Sequence, residues 1–227
     1  MSTYLAINIL VILFPLLLSF EKKLQFYKNF KSVIPAIIIS ALPFIVWDDI
    51  AALRGDWGFN PEHLIGIYIF SLPLEELLFF FTIPYSITFL YETGKYYLTD
   101  KSISVNKYQI YTIAFISVAF AFVFRDQYYT FTVLLFVPII LLMLTLIKNS
   151  LINSRYFWLF MLFTYIPFFV VNYLLTSLPI VTYSPDAIWG LRIITIPVED
   201  FLYSFALIGF NLFLYTKLKS VWQKKEQ

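Results

Sequence analysis

The chain of 227 residues has no cysteine, which removes disulfides, thiolate chemistry and cysteine-based metal sites. It has one histidine, His63, expected in a solvated outer loop, so a histidine-built metal centre is excluded as well. No glycine-rich turn between a strand and a helix offers a dinucleotide site, and no phosphate-binding loop with lysine is present. Asp48-Asp49 lacks the spaced acidic partners that would hold magnesium against a diphosphate. Charge is scarce, at 13% of residues with a net of +2, and no nucleic-acid partner is expected. No lysine lies within 191–216, the last apolar stretch, which excludes a retinal Schiff base. The first apolar stretch has no basic segment before it and no small-residue cleavage site after it, so it reads as a retained span.

What remains is apolar. Hydrophobic residues make up 60% of the chain, with 26 Phe and 17 Tyr, and the mean hydropathy is +0.79, far outside the range of a soluble domain. About 20 apolar residues span a bilayer, and seven such stretches are predicted: 4–20, 33–52, 64–91, 108–124, 129–147, 156–176 and 191–216. The fold class is thus all-α integral membrane with about seven transmembrane helices. Basic residues cluster in alternate connections: Lys22, Lys23, Lys28 and Lys31; Lys95, Lys101 and Lys107; Lys148 and Arg155; Lys217, Lys219, Lys224 and Lys225. The other connections hold only Arg54, Arg125 and Arg192. This asymmetry predicts an N-terminus outside and a C-terminus in the cytoplasm, in a cell (inner) membrane.

A gapless shift of 124 residues aligns Pro43 with Pro167, Pro61 with Pro185, Gly66 with Gly190, Pro73 with Pro197 and Glu75 with Glu199. Similar residues fill the spaces: Asp48 with Asn172, Phe59 with Tyr183, Ser71 with Thr195, Glu76 with Asp200. Matched proline, glycine and acid positions are hard to obtain by chance in an apolar chain. The expected organisation is a three-helix unit (1–107), a linking helix (108–124) and a second three-helix unit (125–227), the two units running parallel.

The repeat carries the chemistry. Pro73-Leu74-Glu75-Glu76 and Pro197-Val198-Glu199-Asp200 place two acid pairs in apolar stretches, where an ionisable group costs roughly 2.5–3.5 kcal/mol or more. A continuous helix there would be kinked at each proline. It would stack Ser71, Glu75 and Phe79 on one face and Thr195, Glu199 and Tyr203 on the corresponding one, with Glu75 and Glu199 facing a common cavity. Arg192, seven residues before Glu199, would hold that carboxylate. Acids in unequal surroundings divide into a proton donor and a base, so Glu75, Glu199, Glu76 and Asp200 are the candidate catalytic groups. Asp48, Asn172, Arg192, Ser71, Thr195, Phe79 and Tyr203 are candidate supporting residues, aromatic faces being able to stabilise a cation. A structural role is the alternative: acids bonded to Asn172, Arg192 or helix ends, with Asp48 solvated at a helix terminus.

At the two Pro-x-Glu-Glu/Asp sequences, and in Gly190–Phe201, the chain resembles the membrane-integral lycopene cyclases. These occur as two small subunits in some actinobacteria, as one fused chain in archaea and some bacteria, and as part of fungal bifunctional carotenoid proteins. The resemblance covers nearly the whole length, and two copies in one chain match the fused form. It implies redox-neutral β-cyclisation of the ψ end groups of lycopene, with no cofactor and no metal. The substrate is dissolved in the bilayer, and other enzymes of carotenoid synthesis are possible partners. A small-solute transporter with the same three-one-three parallel plan is the second reading.

Overall fold

The computed structural model describes residues 2–145 and 151–225. Lys148 and the end of the expected 129–147 span lie outside the described residues, as does the side chain of Lys225. The order of elements is α1 (Thr3–Leu18), α2 (Phe30–Arg54), β1 (Trp57–Phe59), β2 (Tyr68–Ile69), β3 (Leu72–Pro73), α3 (Leu74–Tyr97), α4 (Lys107–Val123), α5 (Tyr128–Thr145), α6 (Arg155–Ser177), β4 (Val181–Tyr183), β5 (Arg192–Ile193), β6 (Ile196–Pro197) and α7 (Val198–Lys225).

Five of these helices, α2, α3, α5, α6 and α7, are long and apolar enough to cross a membrane. The 16 residues of α1 and the 17 of α4 rise about 24–26 Å at 1.5 Å per residue, short of a hydrocarbon core of about 30 Å. The helices turn Ile9, Leu10, Phe14, Leu162, Ile166 and similar side chains outward, the surface a lipid-facing bundle presents. Inside, Phe26, Val33, Ile37, Phe80, Phe157 and Leu212 are fully buried. Three polar residues in that core are linked: Ser40 Oγ donates to Asn211 Oδ1 at 3.2 Å and Asn211 Nδ2 to Thr88 Oγ1 at 2.8 Å, which ties α2, α7 and α3 together through buried hydrogen bonds.

The stretches 64–91 and 191–216 are not single helices, which corrects the expectation from hydropathy. Each begins with a small hairpin, β2–β3 and β5–β6, pairing Tyr68 with Pro73 and Arg192 with Pro197. The helix starts only after the proline. Pro73 is the N-cap of α3, with φ −67° and ψ 150°, so it kinks nothing; its missing N–H falls where a helix has no partner to give it. Gly66 and Gly190 enter the hairpins at φ +87° and +91°, and Phe70 and Ile194 turn them at +56° and +59°. The strands β1 and β4 pair antiparallel and match Gly58 with Thr182. Those two residues are 124 apart, so the ribbon is centred on a pair of corresponding positions, with Trp57 opposite Tyr183 and Phe59 opposite Val181.

Candidate active site

Each acid pair occupies the first turn of a helix, α3 or α7, where unpaired amides and the helix dipole favour negative charge. Adjacent residues on a helix point about 100° apart, and the two members of each pair have different surroundings.

Glu75 and Glu199 turn away from the interior cavity. Glu75 Oε1 accepts from Ser2 Oγ and from the Ile65 amide, both at 2.6 Å. Glu199 Oε1 accepts from Thr130 Oγ1 at 2.5 Å and from the Trp189 amide at 2.7 Å. Ile65 and Trp189 are themselves 124 apart and open the hairpin segments. These glutamates therefore clamp each hairpin to its helix and to the start of α1 or α5. The expectation that they face a common cavity is overturned, because the helix that would have aimed them begins two residues before each glutamate at most.

Glu76 and Asp200 do face a common cavity. It has a volume of about 220 Å³ and is bordered also by Asp48, Trp57, Phe79, Asn172 and Tyr203. Glu76 Oε2 accepts from the Tyr4 phenol at 2.6 Å. Asp200 accepts from the Tyr129 phenol at 2.6 Å and the Tyr183 phenol at 2.9 Å. Asp48 is 4% exposed; its Oδ2 has no hydrogen-bond partner and the Trp57 side chain faces it. The charge of Glu76 reaches both Asp48 and Asp200. Among the described residues no lysine or arginine borders the cavity. Burial, and then the neighbouring Asp200, push the Tyr183 phenol well above its usual range, so it remains a donor. Among the described residues no three acidic or imidazole side chains stand close enough to share a metal ion.

The supporting residues separate in the same way. Phe79 and Tyr203 border the cavity, Phe79 against Tyr4 at 5.9 Å and Tyr203 against Trp47 at 5.6 Å between ring centres. Asn172 borders it too, but its amide donates to Phe168 O at 3.1 Å and not to a carboxylate. Ser71 and Thr195 lie in the hairpin turns, one turn too early for the helix. Ser71 bonds Asp49 through its amide at 2.9 Å, and the Thr195 hydroxyl meets that of Thr176 at 2.6 Å. Neither holds a glutamate. Arg192 is exposed, donates to Thr195 O at 2.8 Å and lies 5.7 Å above the Tyr183 ring, so it does not pair with Glu199.

The phenols of Tyr4 and Tyr129 are the residues that sequence reasoning missed. They correspond at a shift of 125, one more than the shift that aligns the acids, so a gapless comparison passes over them. Tyr183 was visible as the partner of Phe59, with nothing to mark its hydroxyl.

The model of the lycopene cyclase family matches residues 1–93 and 126–218. No curated protein and no solved structure matches. The chain belongs to the lycopene cyclase family, a membership that disfavours the transporter reading, and its five long apolar helices fit a membrane protein.

Proposed function

We propose that the chain is a lycopene β-cyclase that closes ψ end groups by acid–base catalysis, with Asp48, Glu76 and Asp200 as the reacting carboxyls. The observation that carries this reading is the set of three carboxyls, ringed by phenols and aromatic faces, in an apolar cavity of a protein of this family. Three like charges cannot all persist in a low-dielectric space without a cation. The set therefore shares protons, and one member can give a proton while another takes one.

Asp200, held by two phenols, is the base. Asp48, which borders the cavity and whose Oδ2 has no hydrogen-bond partner, or Glu76, held by one phenol, is the acid. A proton added at C2 of the ψ end leaves a cation at C1; the C5=C6 double bond attacks it, forming the C1–C6 bond and a cation at C5. Loss of the C6 proton to Asp200 restores the double bond. One proton enters and one leaves, so the product is an isomer of the substrate and no electrons are transferred. The faces of Trp57, Phe79 and Tyr203 suit the passing cation.

The same reading takes the chain as two parallel units, 1–107 and 125–227, joined by α4, the fused form of the family. All seven helices lie in a cell membrane with the N-terminus outside. The correspondence of the hairpins, the glutamate clamps and the Tyr4–Glu76 and Tyr129–Asp200 pairs supports the repeat. The test is conversion of lycopene by purified protein in heavy water, read by chromatography and mass spectrometry. New β rings carrying deuterium at the carbon derived from C2 are expected. Absence of any cyclised product, or solute uptake into proteoliposomes in its place, would overturn the reading.

A further inference from the structure

The cavity does not end at the carboxyls. It continues along α3 to Leu90 and α1 to Pro15, and faces Thr164, Pro167 and Phe168 of α6 on the other side. From Glu76 to Leu90 the axis of α3 advances about 21 Å. Two hydroxyls along it are satisfied by backbone, Ser86 donating to Val11 O at 3.0 Å and Thr164 to Met161 O at 2.7 Å. The surface left for a ligand is therefore mainly apolar.

Among the described residues the helix packing beside this crevice is not repeated in the other half. In the other half, α2 packs closely along α7, whereas its counterpart α6 stands off from α3. The cause is a plug of three rings. Phe44 and Trp47 of α2 meet Phe136 of α5 at 5.1 and 5.3 Å, and both lie against Tyr203 of α7, at 5.3 and 5.6 Å. The corresponding residues are Phe168 and Val171 at the shift of 124 and, at the shift of 125 that relates Tyr4 to Tyr129, Val11. Two rings are replaced by two valines, and the third is turned aside: Phe168 packs on Phe201 at 4.8 Å and Tyr165 at 5.7 Å. Above the crevice, Tyr4, Ile7, Val171, Leu175 and Ile180 close the end near the acids.

We propose that the crevice between α6 and the α1–α3 pair is the portal and chain-binding groove for a linear isoprenoid hydrocarbon, which enters sideways from the bilayer with its end group leading to the carboxyls. The inference rests on the cyclase reading, and continuity with the carboxyl site is what assigns the occupant. The equivalent route through the other half is sealed by Phe44, Trp47 and Phe136. A substrate with two ends must leave and re-enter by the same opening, so a one-ring product precedes the two-ring product.

The absence of cysteine permits a direct test. Ile83→Cys places a single thiol on the cavity wall at the level of Val11. In liposomes it is probed with a membrane-soluble apolar maleimide, with and without lycopene in the bilayer, in the chain alone and combined with Val11→Phe/Val171→Trp, which rebuilds the plug. Labelling slowed at least ten-fold by lycopene and by the rebuilt plug, with loss of conversion in the plugged protein, is the expected result. If Val11→Phe/Val171→Trp does not fold, Val171→Phe alone serves. Labelling indifferent to lycopene would mean that lipid acyl chains alone fill the crevice, and a plugged protein that converts lycopene at the unplugged rate would also overturn the portal. Protection by lycopene in a protein that forms no ring would leave the groove standing and remove the cyclase reading instead.

Discussion

Two acids side by side in sequence have opposite duties in the structure. Glu75 and Glu199 accept from backbone amides and hydroxyls outside the cavity, while Glu76 and Asp200 accept from phenols inside it. The sequence makes the pairs conspicuous but not their assignment, because a rotation of about 100° between neighbours is useless until the start of the helix is known. Asp48 was legible as a candidate, since an acid matched by Asn172 sits in an apolar stretch. Arg192 was not: its side chain is spent on the hairpin. Glu75→Gln and Glu199→Gln each weaken a charged clamp whose hydrogen bonds are worth roughly 1.5–3 kcal/mol. The expected outcome in detergent is a lowered melting temperature with conversion of lycopene retained by the folded fraction. A variant that melts like the parent yet forms no ring would return these glutamates to the reaction.

At the scale of elements, hydropathy located the seven apolar segments and missed the hairpins. Residues 64–73 and 188–197 are nearly as apolar as the helices they precede, and strands of two residues leave no periodicity to read. A proline at an N-cap and one inside a helix look alike in such a stretch. Gly66 and Gly190 were the available signal, since a repeated glycine marks a repeated left-handed backbone. A Cβ at Gly190 would meet nothing within 4 Å, so the cost of Gly190→Ala is conformational alone, about 1–2 kcal/mol. Thermal unfolding should show that loss. An unchanged melting temperature would mean that the β5–β6 hairpin relaxes freely and does not brace Glu199.

For the whole molecule, the proposed repeat rests on matched prolines, glycines and acids in the sequence, and the family match falls in two segments of the same extent. The departure from symmetry was not readable. Trp47 against Val171 and Phe136 against Val11 are ordinary apolar exchanges in sequence, and only the packing shows that one set fills a gap which the other leaves open. The phenol–carboxyl pair within each half depends on a contact between residues about 70 apart in sequence, Tyr4 with Glu76 and Tyr129 with Asp200. The central claim is that the cavity carboxyls move the protons. Asp48→Asn, Glu76→Gln and Asp200→Asn, compared with the parent at equal membrane levels in lycopene-accumulating cells, test it by pigment chromatography. Removing a positioned acid or base costs roughly 10²–10⁴-fold in rate, so cyclised product should fall at least a hundred-fold in Glu76→Gln and Asp200→Asn and strongly in Asp48→Asn. Ring formation within a few-fold of the parent in Glu76→Gln and Asp200→Asn would contradict the account.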